Sequence, residues 1–254
     1  VLEDGQYQID FERFRTDVKG CKILILSNPH NPGGRVWTRE ELAEIAEICY
    51  ENQVLVISDE IHADLTLPGY THPTFALVSE KARRNSLVFM SPSKAFNMPG
   101  LASSYCIIED EDIRRRFQAY MEASEFSEGH LFAYLGVAAA YSNGTEWLDQ
   151  VLEYIQGNID FTDEYLKANI PAIRMIRPQA SYLIFLDCRE LGLSQKELVS
   201  FFVDDAHLAL NDGAMFGKEG EGFMRLNVAC PRSVLKQALD QIKQAYGKKH
   251  DTIA

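Results

Sequence analysis

The sequence predicts an α/β fold: a mostly parallel sheet with helices on both faces, followed by a small α+β C-terminal unit. Three observations predict it. Short apolar runs, ILIL (23–26), VLVI (54–57) and LVFM (87–90), recur along the first half, and each ends on a polar, chemically loaded segment. A helical pattern separates the first two runs, which makes a βαβ unit with parallel strands and a right-handed crossover. After residue 171 the pattern changes to short strand-like runs interleaved with two helices, as in a small α+β unit.

The elements follow in order. Thr38 with Glu41 three residues on is a capping-box pattern, and Leu42, Ile45, Ala46 and Cys49 recur at helical spacing, which predicts the crossover helix. Residues 63–86 are looser, holding Pro68, Gly69 and Pro73, with a short helix expected over 76–84. LVFM leads into SPSKAF (91–96), and a further strand is expected at 104–108. Residues 111–142 predict two helices broken near Gly129, and Asn143-Gly144 marks a turn. From Thr145 towards Pro171 the periodicity of Trp147, Leu148, Val151, Ile155, Ile159, Tyr165 and Leu166 predicts one long connecting helix. Strands are expected at 172–176, 181–187, 207–210 and 223–229, with a helix capped by Ser194 and Glu197 and a last helix after Pro231. The expected division is a large unit over 1–143, a connecting helix over 144–170 and the small unit over 171–254.

Bulk composition narrows the function. A formal net charge of -12 over 254 residues argues against a nucleic-acid or anionic-membrane partner, because both would repel the chain, and favours a small-molecule partner. Cys21, Cys49, Cys106, Cys188 and Cys230 form no CxxC pair and read as free thiols in a reducing compartment. No apolar run reaches the length of a membrane span and no basic-then-apolar leader opens the sequence, so the expected location is cytoplasmic. The six histidines lack metal-ligand spacing, so no metal is expected.

Residues just past the carboxyl ends of neighbouring parallel strands gather at one sheet edge, where ligands bind. SNPHNPGG (27–34), SDEIH (58–62) and SPSKAF thereby bring together Asn31, Asp59, His62 and Lys94. A lysine amine that can form an imine, an anion that keeps a ring nitrogen protonated, and donors for a ring oxygen and a phosphate are the set that pyridoxal 5'-phosphate (PLP) needs. Each residue also has a plainer reading: a solvated lysine, an N-cap aspartate, a turn asparagine, a hydrogen-bonded core histidine. Ser91-x-x-Lys94 fits the SxxK of penicillin-binding enzymes as well, but no KTG follows.

The three segments, in this order, resemble the fold-type I PLP enzymes of the class I/II aminotransferase family, over about Asp4 to Tyr246. NPHNPGGRVW, SDEIHADL and SPSKAFNMPGL are similar to the MalY/PatB-type branch, the cystathionine β-lyases and C-S lyases. The resemblance implies a PLP-dependent transferase-like large domain, here partial, and a small C-terminal domain. It implies Lys94 as the imine-forming lysine and proton shuttle, Asp59 as partner of the ring nitrogen, and Asn31 as donor to the ring 3'-oxygen. His62 falls where many relatives carry a tyrosine with a similar job. Ser91, with Ser93 beside it, is implied as a phosphate donor, and Arg225 in FMRLNVACPRS as the clamp on the substrate α-carboxylate. Many aminotransferases have an arginine eight residues after the lysine; Ala102 stands there, a departure that favours the lyase, with Ser103 as a substitute donor. The implied activity is cleavage of a sulfur amino acid to thiol, pyruvate and ammonia. An aminotransferase and a truncated, non-catalytic fragment are the alternatives. The family is typically a homodimer. Because the first residues resemble the middle of the large domain, a C-terminal fragment is expected, with the phosphate-holding turn and the ring-stacking aromatic lying before Val1.

Overall fold

A computed structural model of the chain describes residues 1–126 and 129–251, so the last three residues of the expected 171–254 unit lie outside the described residues. The chain opens on a hairpin, β1 (Leu2–Glu3) against β2 (Gln6–Tyr7), turned at Asp4 and Gly5, both with positive φ. Helix α1 (Phe11–Asp17) follows, capped by the Asp10 carboxylate.

The first sheet contains β3 (Ile23–Ser27), β4 (Leu55–Asp59), β5 (Ser86–Met90) and β6 (Tyr105–Ile107) in that spatial order. The first three are parallel and β6 is antiparallel. Between β3 and β4 runs α2 (Arg39–Glu51), started by the expected capping box of Thr38 and Glu41. The short helix expected over 76–84 divides into a 3-10 turn, Phe75–Leu77, and α3 (Glu80–Arg84), which Ser79 caps. Leu42, Ile45, Ile48 and Cys49 of α2 form one core with Val56 and Val88 of the sheet, with Leu24 and Leu26 of β3 packed against it. After β5 come α4 (Pro92–Ala95), α5 (Glu111–Ala123) and α6 (Leu131–Asn143). Helix α5 reaches the opposite face of the sheet through Phe117, edge-on to Phe89 at 6.2 Å, while Ile25 on that face is 74% exposed.

The long helix α7 (Thr145–Asn169) leads to the second sheet, built from β7 (Arg174–Ile176), β8 (Leu183–Asp187), β9 (Asn211–Asp212) and β10 (Phe223–Asn227) in the order β7-β8-β10-β9, all antiparallel. Helices α8 (Gln195–Ser200) and α9 (Arg232–Asp251) complete it, α8 with the expected Ser194–Glu197 capping box. Ile155, Ile159 and Leu166 of α7 share a core with Ile184, Leu186, Met224 and Leu239.

The strand expected at 207–210 is not one. The Leu208 N–H is taken by the Phe202 carbonyl as the preceding π-helical turn (Phe201–Asp205) ends, and Leu208 and Leu210 pack against the core without a ladder. Pairing falls instead on Asn211 and Asp212, opposite Arg225 and Met224. The segment before β8 ties the two sheets together. Gln179 N–H donates to Gly34 O (2.7 Å), Leu67 N–H to Gln179 O (3.0 Å) and Ser181 N–H to Leu65 O (2.9 Å), and the Gln179 side chain accepts the Val36 N–H (2.8 Å). No helix among the described residues is long and apolar enough to cross a membrane.

Candidate active site

Parallel register aligns Ser27, Asp59 and Phe89 at the carboxyl ends of β3, β4 and β5, so the loops that follow emerge on one edge. The loop after β3 turns through cis peptide bonds at Asn28-Pro29 and Asn31-Pro32. It is fastened by the Asn31 N–H to Ser27 Oγ (3.1 Å) and by Trp37 Nε1 to Ser27 O (3.0 Å).

This places Asn31 against Arg225 of the second sheet: Arg225 Nη1 donates to Asn31 Oδ1 at 3.0 Å. A guanidinium only donates, so the contact fixes the flip of the Asn31 amide and leaves its NH2 as the group that can face a ligand. Arg225 Nη2 donates to Asn211 Oδ1 (2.9 Å), and Nε is buried without a partner. Burial presses the pKa of Arg225 below its ordinary value, a shift that the nearby Tyr182 opposes.

His62 is 5% exposed, its ring edge-on to Tyr182 at 6.2 Å and its Nδ1 buried without a partner. Burial holds its pKa down at about 4, with the positive charges of Lys94 and Arg225 adding to the effect, so the ring is neutral at pH 7. His62, Lys94 and Arg225 therefore share one electrostatic neighbourhood.

Asp59 is exposed at the strand end, where Oδ1 accepts the Ile61 N–H at 3.1 Å, the local turn contact of its plainer reading. Lys94 lies in the single turn of α4 and lines a cavity of about 330 Å³ together with Leu65, Trp147, Tyr154, Tyr182 and Cys230 among others. Among the described residues neither Asp59 nor Lys94 joins an ion pair. Opposite charges at one sheet edge, each without a protein counter-ion, together with the bare Nδ1 of His62 and the NH2 of Asn31, fit a cofactor that brings an aldehyde, a protonated ring nitrogen and a ring oxygen.

Ser91 is buried and caps α4, accepting the Ser93 N–H (3.1 Å). Its hydroxyl lies 2.5 Å from Ser103 O and 2.8 Å from Ser93 Oγ. A carbonyl only accepts, so the Ser91 proton belongs to Ser103 O. Ser93 is then the hydroxyl that can turn to an outside acceptor without leaving a carbonyl unpaired. Ala102, with φ of 47°, and Ser103 are contiguous with this turn.

Sequence reasoning passed over Glu60, which is 1% exposed beneath the site. Its carboxylate accepts from Ser58 Oγ (2.9 Å), Phe75 N–H (2.8 Å) and Asn28 Nδ2 (3.4 Å), and meets His72 Nε2 at 2.7 Å. It clasps the ends of β3 and β4 to the 72–75 loop. Its neighbour Asp59 points to the opposite face, and the alternation of a strand was the available signal that the two carboxylates differ. Asn211, Phe216 and Tyr182 were passed over too, and nothing in local sequence marks them as neighbours of Arg225 and His62.

Comparison with known proteins gives the family. The family described as aminotransferase class I and II matches residues 2–242. Cystathionine beta-lyase PatB of Bacillus subtilis is 41% identical over 245 residues, 96% of this chain and 63% of the relative. Protein MalY of Escherichia coli is 36% identical over 223 residues, 86% of this chain and 56% of the relative. Cystalysin from Treponema denticola, whose crystal structure contains a pyridoxal 5'-phosphate cofactor, superposes with a TM-score of 0.95 at 33% identity, covering 98% of this chain and 64% of that one. The chain thus spans less than two thirds of the length of these relatives.

Proposed function

The chain belongs to the aminotransferase class I and II family, and on that premise we propose that the whole protein is a PLP-dependent C-S β-lyase of the cystathionine β-lyase type, releasing thiol, pyruvate and ammonia from a sulfur amino acid. The observation that carries the PLP reading is the pair of unpartnered charges, Lys94 and Asp59, on one sheet edge. The likeness to PatB supports lyase over transaminase, as does Ala102 where many aminotransferases have an arginine.

Lys94 would hold the cofactor through its amine, Asp59 would face the ring nitrogen, and Asn31 and His62 the ring oxygen. Ser93 would donate to the phosphate, with Ser91 fixing the turn and joining it by exchanging its Ser103 bond. When bound, PLP supplies an aldehyde that bonds amines and a cationic ring that draws electrons from the α-carbon of an amino acid. Arg225 binds the α-carboxylate and so turns the α-hydrogen towards the Lys94 amine. Once released by the substrate's own amine, the Lys94 amine takes the α-proton, the pair left on the α-carbon becomes the Cα–Cβ double bond as the sulfur leaves with the β-carbon–sulfur pair, and water then frees ammonia and pyruvate. His62, neutral at pH 7, adds no charge beside the two cations.

The second reading is an aminotransferase, which uses the same proton abstraction but returns the proton to a different carbon. The two are separated by assaying the full-length protein for pyruvate and thiol from cystathionine against amine transfer that depends on a keto acid. Keto-acid dependence without thiol release would replace the lyase by the transaminase. Failure of this chain to change the PLP spectrum on titration would leave the third reading, a non-catalytic fragment. We further propose a cytoplasmic homodimer; Tyr120, Phe126, Leu131, Phe132 and Leu135, all more than half exposed around α5 and α6, support an apolar interface.

A further inference from the structure

We propose that the segment Asn211–Phe216 is a cradle that sets the plane of the Arg225 guanidinium, with Asn211 and Phe216 acting as positioning residues for binding of the amino-acid carboxylate. This rests on the reading of Arg225 as the carboxylate clamp.

Asn211 lies directly opposite Arg225 in the β9–β10 pair and accepts from Nη2 at 2.9 Å. Phe216, five residues on, places its ring under the guanidinium carbon at 4.7 Å. One contact fixes an edge of the guanidinium and the other its face. The cradle is itself held. Asp212 Oδ1 accepts the Ala214 N–H (2.8 Å) and Gln195 Nε2 (2.5 Å). Phe216 stands edge-on to Phe185 at 6.1 Å, and Phe185 is stacked on Phe223 at 4.8 Å. Gly213 packs so closely on Gly220 and Phe223 that an added Cβ would overlap their carbonyl oxygens.

An arginine side chain has many rotamers, and a carboxylate that takes two parallel hydrogen bonds needs the guanidinium in one plane. Asn31 and Asn211 each accept one of its five N–H groups, leaving three. Asn31 also faces the cofactor in the reading above, whereas among the described residues the Asn211 side chain hydrogen-bonds to Arg225 alone. Asn211 is exposed, so its side chain serves the clamp and not the core.

The test uses the full-length holoenzyme and compares an amino acid with the matching amine that lacks the carboxylate, each titrated by the shift in cofactor absorbance. Asn211→Ala and Phe216→Leu are expected to weaken amino-acid binding about fivefold or more, and to raise KM by the same factor, with kcat within about twofold. Amine binding should stay within about twofold, because the amine makes no use of Arg225. Amino-acid affinity unchanged in Asn211→Ala, or an equal loss for both ligands, overturns the cradle. Arg225→Lys is the control: if it too leaves amino-acid affinity unchanged, the clamp reading itself fails.

Discussion

At the scale of single residues the site is defined by which charges are matched and which are not. Lys94 and Asp59 have no protein counter-ion among the described residues, while Glu60, one position from Asp59, has four partners. The first pair is available to a ligand and the second is committed to structure. Lys94→Ala should therefore leave the fold intact and abolish borohydride-fixable PLP, seen as loss of the lysine-linked absorbance band. A retained band would assign the linkage to another lysine. Glu60→Ala should instead strip the acceptor from four groups, three of them buried, at a cost of about 3 kcal/mol or more. Urea unfolding of the full-length protein checks this through a lowered midpoint with an unchanged slope.

At the scale of elements, the strands that carry the site were legible because each couples an apolar run to a polar end. Ser27, Asp59 and Phe89 come into register for that reason, and the capping boxes at Thr38 and Ser194 were readable as written. The run at 207–210 misled because an alternating apolar pattern reports burial, whereas a strand also needs a partner, and β10 offers one only at Met224 and Arg225. Contacts that join distant segments left no local trace, which is why Asn211 beneath Arg225 and His72 against Glu60 appear only in three dimensions. The turn at Gly213 belongs to this scale. Gly213→Ala has no room for its Cβ against two backbone carbonyls. It should cost about 1–3 kcal/mol by overpacking and loosen the hold on Arg225. A lowered melting temperature together with a raised amino-acid KM is the expected pair, and a raised KM without the thermal change would place the strain elsewhere.

At the scale of the whole molecule, two buried imidazoles link stability to pH. His62 and His30 are each held near pKa 4, mainly by burial, with Lys94 and Arg225 adding at His62. Both values lie below the ordinary 6.5, so the unfolded chain takes up protons that the folded chain refuses. The stabilisation is complete above about pH 6.5 and is lost as the pH falls towards 4, by roughly 3 kcal/mol per ring at most. Urea midpoints measured at pH 7 and pH 4.5 should diverge, and His62→Gln should narrow the gap. An equal gap in that variant would assign the acid sensitivity to carboxylates instead.

The bond between Asn31 and Arg225 spans 194 positions of the chain. On a ribosome moving from the N-terminus, the asparagine emerges long before the guanidinium that settles its orientation. A nascent chain can fold its parallel strands early, yet the Asn31 amide stays free to rotate until β10 has left the exit tunnel. A ligand that needs the amide held one way therefore waits until the second sheet has formed.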